Sequence, residues 1–273
     1  MTLLNASGLL LIALSQPTDA PEGQPLPTVA TLDPALTVFQ DEEEEAAAED
    51  EGEPNWDGSV NLGATWSNGN TEVVTVSLAI DAELKREKDR QTITAWWNYG
   101  SDQNAIGSTI TQRNAGGIYK YDYFLNEQTF LFAVAGAETD TLAMLDLRWY
   151  AGGGVGHQFH DEEDFKLSGE FGITYFDEDF EVDTDDADYI AARIAYSLYK
   201  RLTPTTVLEA DGQIFPSLED GDDIYARHDT RIKFDVTENM FAQLQWIYKW
   251  DNTPASGAER VDNQLIATLG WGF

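Results

Sequence analysis

Few side chains in this chain can do nucleophilic or metal chemistry. Cysteine is absent and there are three histidines, His157, His160 and His228. Without thiols there is no disulfide framework, no thiolate metal site and no catalytic Cys. A lipid hydrolase would need a His beside a Ser, oriented by a third group, on a face that meets lipid. The period-2 register puts His157 and His228 on the outward faces of their segments, with Thr230 beyond His228. The nearby Ser is Ser217. No Gly-x-Ser-x-Gly, no His-Glu-x-x-His and no metal-spaced His pair occurs. These histidines therefore read as interfacial residues, and His160 falls in a short turn. The run GGGVG at 152–156 has no helix after it to present backbone amides to a phosphate. It reads as a bend, or as close packing of side chains on a strand.

Acidic segments are the other source of chemistry. DEDFEVDTDDAD at 177–188 and EDGDD at 219–223 bring many carboxylates into two connecting segments. Hard cations take oxygen ligands in such settings, which makes Asp183, Asp185, Asp186 and Asp188 the candidate Ca²⁺ or Mg²⁺ ligands. The spacing is not that of an EF-hand loop, since its Gly and closing Glu are missing. A solvated acidic loop is the competing reading. No other cofactor is expected.

The elements that carry these residues fall into three zones. Residues 1–16, MTLLNASGLLLIALSQ, read as a signal peptide, with an apolar stretch from Leu9 to Leu14 and a small-x-small pattern at Ala13-Leu14-Ser15. Residues 17–55 carry Pro17, Pro21 and Pro25 and then the run DEEEEAAAEDEGE, with no Lys or Arg before Lys85. Like charges at that density repel one another, so this zone reads as a disordered acidic leader. The formal charge of −33 argues against nucleic acid as a partner, because phosphate binding needs a basic stripe. The longest apolar run is too short for a membrane-spanning helix, which needs about 20 residues.

From Trp56 to Phe273 the texture changes to strict alternation. In TEVVTVSLAIDAELKR, residues 71–86, Val74, Val76, Leu78, Ile80, Ala82 and Leu84 share one face. Thr75, Ser77, Asp81, Glu83 and Lys85 share the other. Strands are expected near 56–66, 71–86, 91–101, 109–123, 128–138, 146–159, 165–177, 189–201, 206–216, 224–236, 240–251 and 260–273. Short connections, as at 87–90 and 202–205, alternate with longer ones at 102–108, 139–145, 178–188, 217–223 and 252–259. The pattern is that of a closed antiparallel transmembrane β-barrel of about twelve strands, short turns on one side and long loops on the other. Its apolar faces, among them Phe130, Phe132 and Val134 or Ile190, Ala192 and Ile194, would meet lipid. Trp56, Trp66, Tyr99, Tyr119, Tyr121, Trp250 and Trp271 would form the aromatic girdles. The charged faces then line the lumen: Asp81, Glu83, Glu209, Asp211 and Asp235 against Arg227, Arg231 and Lys233. Such side chains should fill much of so narrow a barrel. The competing class, a soluble β-barrel binding protein, would bury the apolar faces and wet the charged ones.

The last strand, LIATLGWGF, puts Leu265, Ala267, Leu269, Trp271 and Phe273 on the lipid side. An aromatic terminus of this kind is similar to the signal read by the outer-membrane assembly machinery, which makes Trp271 and Phe273 the candidate assembly residues. WDGSVNLGATWSNGNTE, YKYDYFLNEQTFLFAVAGAETD and IFPSLEDGDDIYAR, with the terminal aromatic strand, resemble the bacterial family of salt-induced outer membrane proteins over 56–273. The resemblance implies an exported barrel in the bacterial outer membrane, in contact with its lipids and tied to salt or osmotic conditions. The expected function is a narrow channel, cation-preferring if it conducts, or a structural envelope component, without enzymatic activity. An outer-membrane lipid-modifying enzyme is the alternative.

Overall fold

The computed structural model describes residues 56–67, 72–104, 107–181 and 186–273. The expected signal peptide and leader lie outside the described residues. Twelve strands follow one another: β1 (Trp56–Ser67), β2 (Glu72–Lys85), β3 (Asp89–Asn104), β4 (Gly107–Phe124), β5 (Thr129–Asp140) and β6 (Leu145–Glu162), then β7 (Phe165–Phe180), β8 (Ala187–Thr203), β9 (Thr206–Pro216), β10 (Ile224–Asp235), β11 (Met240–Asp251) and β12 (Val261–Gly272). Each pairs antiparallel with its neighbours in sequence, and β12 returns to β1 to close the barrel. Beyond strands, the one regular element among the described residues is a 3₁₀ turn at Thr141–Ala143. The closing seam pairs Ser59–Leu62 of β1 with Leu269–Gly272 of β12, and closure of a sheet into a ring is the condition for it to sit in an apolar medium.

Alternation decides the two surfaces. Outward side chains are large and apolar around the ring: Leu62, Phe171, Ile173, Leu265, Leu269 and Trp271 are each more than half exposed. Inward ones include Asn61, Asn98, Asp122, Glu138, Arg148, Arg193 and Asp229, all buried. Polar residues inside and apolar residues outside invert the arrangement of a soluble barrel, which hides its apolar faces from water.

Two expectations are corrected. The strands run further than the periodicity suggested, so the connections between β3 and β4, β5 and β6, and β7 and β8 are short. Long ones remain at 217–223 and 252–260. Polar segments such as SDQN and GSTI at 101–104 and 107–110 continue the ladder, because backbone pairing does not depend on which medium the side chains meet. His160 accordingly lies within β6 rather than in a turn. The second correction concerns β5. Its sequence TFLFAVAGAETD is apolar on both faces, so alternation cannot say which face is inside. The structure turns Phe130, Phe132 and Val134 inward and leaves Leu131, Ala133 and Ala135 outside.

The inward aromatics need room, and GGGVG on β6 supplies it. A Cβ at Gly156 would strike the Phe130 ring. One at Gly154 would fall 2.9 Å from Phe132, which also lies over Gly172 of β7. The glycine run is therefore a groove that receives rings from β5, in line with the close-packing reading. With Tyr150, Phe176, Tyr189, Phe215 and Tyr225, these rings form an apolar cluster inside the barrel. The lumen is thus filled by aromatic rings as well as by the charges expected there.

Candidate functional site

The two ends of the lumen differ. At the loop end the aromatic layer is tight: Phe176 has ring centroids of Tyr150, Tyr189 and Phe215 at 5.2, 5.2 and 4.9 Å. Beside it Arg148, from β6, is held by three carboxylates from three other strands. Its Nε donates to Glu178, its Nη1 to Glu138 Oε1 at 3.2 Å and its Nη2 to Asp251 Oδ2 at 2.7 Å. The guanidinium also lies 4.2 Å from the centre of the Tyr225 ring, whose hydroxyl donates to Glu138 at 3.0 Å. Lys249 reaches Glu138 at 2.9 Å across the lumen. Every charge in the layer has a partner of opposite sign, which is what makes burial of so many ions tolerable.

Above this layer the connection 252–260 folds over the mouth. Ala255 is buried against Leu145 and Phe180, with Met144 packed beside them. The two long connections are tied together: Thr253 Oγ1 donates to Asp223 Oδ1 at 2.7 Å, and the Asn252 side chain donates to the Asp222 carbonyl at 2.7 Å. Burial pushes the Asp223 carboxyl up from its ordinary value. The Thr253 hydroxyl opposes that rise and the Asp251 carboxylate adds to it.

Towards the turn end the lumen opens into a cavity of about 480 Å³. One wall carries a chain of ion pairs: Arg90 to Asp122 at 2.7 Å, Lys120 to Asp122 at 2.7 Å, Lys120 to Glu170, and Glu170 to Arg193. The facing wall carries Lys233 with Glu209 at 2.8 Å and Arg231 with Asp229 at 3.1 Å. Asp81 and Asp211 stand 4.0 Å from the Arg231 guanidinium. Arg227 lies over the Trp96 ring at 4.4 Å. Glu83 lines the same cavity, whereas Asp235 is exposed at the turn-end limit of β10.

Seven of the eight lumen charges named from the sequence are therefore gathered round one space. That reasoning passed over Arg90, Arg193 and the Arg148–Glu138 layer, although Arg148 and Arg193 sit at inward positions of strands already recognised. The omission matters for charge: eight carboxylates and eight basic side chains line the cavity. Its walls are balanced, and the excess negative charge lies elsewhere.

Of the proposed cation ligands, Asp183 and Asp185 lie outside the described residues. Asp186 accepts a hydrogen bond from the Phe180 amide at 2.9 Å, and Asp188 accepts one from the Tyr175 hydroxyl at 3.4 Å. Among the described residues no group of three His, Asp or Glu side chains is placed to hold a metal ion. Trp271 and Phe273 face outward at the turn end. Phe273 exchanges backbone hydrogen bonds with Gly58 at 2.9 and 3.1 Å, and its ring covers that glycine. His157 contacts Thr129, and His228 contacts both Tyr196 and Thr230.

Fold and lumen together define a closed barrel with a charge-lined and aromatic interior and an apolar exterior. Residues 60–273 match the family described as "Protein of unknown function, DUF481", and the chain belongs to that family. No curated protein matches it. Among solved structures it is similar to the NanC porin, with a TM-score of 0.49 and 8% identity over 80% of this chain and 98% of that one. It is also similar to an outer membrane channel from Pseudomonas putida F1, with a TM-score of 0.45 and 14% identity over 85% of this chain and all of that one. The translocator domain of the autotransporter NalP from Neisseria meningitidis gives a TM-score of 0.44 and 11% identity over 82% and 90%.

Proposed function

We infer that this chain is embedded in the bacterial outer membrane and acts as a narrow passage that is shut in the state described. The observation that carries this reading is the asymmetry of the lumen. A polar cavity of about 480 Å³ reaches in from the turn end and stops at the aromatic layer and the Arg148 cage. A purely structural barrel has no need of a wet cavity walled by paired ions, whereas a passage with a stopper needs both. The apolar exterior supports embedding in lipid, with the turn end towards the periplasm as the even strand count implies. Trp271 and Phe273 are exposed beside the seam, and that exposure supports reading them as the residues an assembly factor grips on the closing strand.

A preference for cations would come from the mouth and not from the lumen. The cavity walls balance, while Asp177, Asp179, Glu181, Asp186, Asp188, Glu219, Asp220, Asp222 and Asp223 crowd the loop end. Such a mouth raises the local concentration of cations and weakens with salt. A link to salt or osmotic conditions rests on the resemblance described above. The test is single-channel recording on purified protein in planar bilayers. Brief cation-selective openings are expected, lengthened by the substitution Arg148→Ala. Silence of both proteins at all salt concentrations would overturn the passage and leave the structural role.

A further inference from the structure

The barrel closes on its shortest ladder. β1 pairs with β2 along the whole of Trp56–Ser67, and β12 pairs with β11 from Val261 to Trp271. With each other the two strands pair at Ser59–Leu62 against Leu269–Gly272, and Gly58 adds two backbone bonds to Phe273. Beyond that, Gly63–Ser67 and Val261–Thr268 have no ladder between them among the described residues. Gly63 marks the point of parting. A Cβ there would fall 2.7 Å from the Ala267 carbonyl oxygen, so this last close approach depends on the glycine. Further along β12, Gln264 is held by a side chain instead of a strand: its Oε1 accepts from Gln112 Nε2 of β4 at 3.2 Å.

A recess of the lumen leads to the same point. It measures about 30 Å³, shares Asp81, Thr94, Arg227, Asp229 and Arg231 with the turn-end cavity, and continues to Ser77, Ile266 and Thr268. Ser77 and Thr268 are the side chains that flank Gly63, so the recess ends where the seam ladder ends. Trp96, Ile247 and Ile266 give it apolar walls. The buried Thr268 hydroxyl on its wall has no hydrogen-bond partner among the described residues. Outside, Leu62, Ala64, Ala267 and Leu269 flank the same edges. Leu265 beside them is 78% exposed, the highest value for a large apolar side chain among the described residues. Strand edges carry unpaired N–H and C=O groups, and at membrane depth such backbone is tolerated where it lines a polar cavity or takes a partner. The recess supplies the cavity.

We propose that the unladdered part of the β1–β12 seam is a lateral slot through which an amphiphile, with a charged head and an acyl chain, passes between the lumen and the membrane. This rests on the reading of the barrel as embedded in lipid, and it adds a substrate class to the passage. Ion pairs of both signs round the cavity, such as Lys233 with Glu209 and Arg231 with Asp229, suit a charged or zwitterionic head. The walls of the recess and the apolar lips of the slot suit the chain. Head and chain then each stay in a medium of their own kind, which is what makes the sideways route cheaper than either medium alone. The aromatic layer shuts the axial way out, and the slot leads sideways.

The experiment photolyses the intact barrel in phosphatidylethanolamine vesicles containing a lysophosphatidylethanolamine with a diazirine on its acyl chain, and maps the adducts by mass spectrometry. Adducts are expected on outward Leu265 and on the recess residues Ile266 and Ile247. The chain has no cysteine, so a disulfide can be placed at will. Ala64→Cys with Ala267→Cys continues the seam register and locks the slot. Oxidation of that pair should lower the recess adducts severalfold, reduction should restore them, and Leu265 should be labelled throughout. Ile80→Cys with Ala95→Cys, in the continuous β2–β3 ladder, should label as wild type does. A heat-modifiable gel shift certifies that each variant is a folded barrel. Wild type labelled on Leu265 but not in the recess refutes the slot and leaves the embedding intact. Recess adducts that persist with the seam locked also refute it, since the probe then enters from the turn end. Failure to label Leu265 overturns the embedding itself, and the slot with it. The wild-type arm needs no variant and decides even where the disulfide does not form.

Discussion

Replacing Arg148 by Met tests the stopper most directly. The side chain is 5% exposed and meets Glu138, Glu178 and Asp251, themselves largely shielded from water. Methionine matches its length and supplies no charge. Glu138 keeps Lys249 at 2.9 Å, but Glu178 and Asp251 lose their salt bridges to Arg148. Stranding buried carboxylates in this way costs about 3–5 kcal/mol. Retention of Lys249 and access of water through the loosened layer favour the lower end, about 3 kcal/mol, or roughly a hundredfold in the folding equilibrium. The assay is urea unfolding of the lipid-reconstituted barrel followed by tryptophan fluorescence, with eight indoles as reporters. The midpoint should fall while the denaturant slope stays the same, since the surface exposed on unfolding is unchanged. The double variant Arg148→Met with Glu178→Gln should recover part of the loss, because the stranded charge has gone with its partner. A single-variant loss below about 0.5 kcal/mol, the size of an ordinary surface change, would show that the cage holds nothing together.

Three further outcomes follow from other parts of the structure. Gly154→Val places a side chain against Phe132 and the Phe171 carbonyl, and overpacking of this kind should cost about 1–3 kcal/mol in the same urea assay. Asp223 has a folded pKa above its unfolded one, so its contribution to stability is greatest below the ordinary carboxyl value and is lost as pH rises through the raised one. The difference in stability between wild type and Asp223→Asn should therefore change with pH in that window and be constant above it. A flat difference across pH 3 to 7 would show that Asp223 is not desolvated. Phe273→Ala removes the ring over Gly58 but keeps both backbone hydrogen bonds between residue 273 and Gly58. Refolding of purified protein into detergent should proceed to the wild-type yield, while insertion in cells, measured by membrane fractionation, should drop severalfold.

The architecture was legible because a closed barrel with unlike inner and outer surfaces writes itself along the chain. Each strand presents alternate residues to two unlike media, so runs such as VVTVSLAIDAELK announce both the strand and its faces. Polar turns mark where direction reverses. The charges of β9 and β10 could be placed in the lumen for the same reason, since Glu209, Asp211, Arg227, Arg231 and Lys233 alternate with apolar neighbours. Alternation fell silent in β5, where both faces are apolar. There the inward choice depended on the glycines of β6 and β7, and space across a strand pair is a property of two segments, not of one. It also could not tell that strands continue beyond their apolar stretches, because a backbone ladder needs no apolar side chains.

The sequence by itself thus determined the number of strands, their order and most of their faces, because those follow from local period. Only the tertiary structure decided what the faces do on meeting. Arg148 finds carboxylates 10, 30 and 103 residues away, and His228 finds Tyr196 across an intervening strand at Gly212. Tilt and stagger of the closed sheet set which inward and outward side chains share a level, and no single strand carries that information. Closure of the loop-end mouth arises from that stagger.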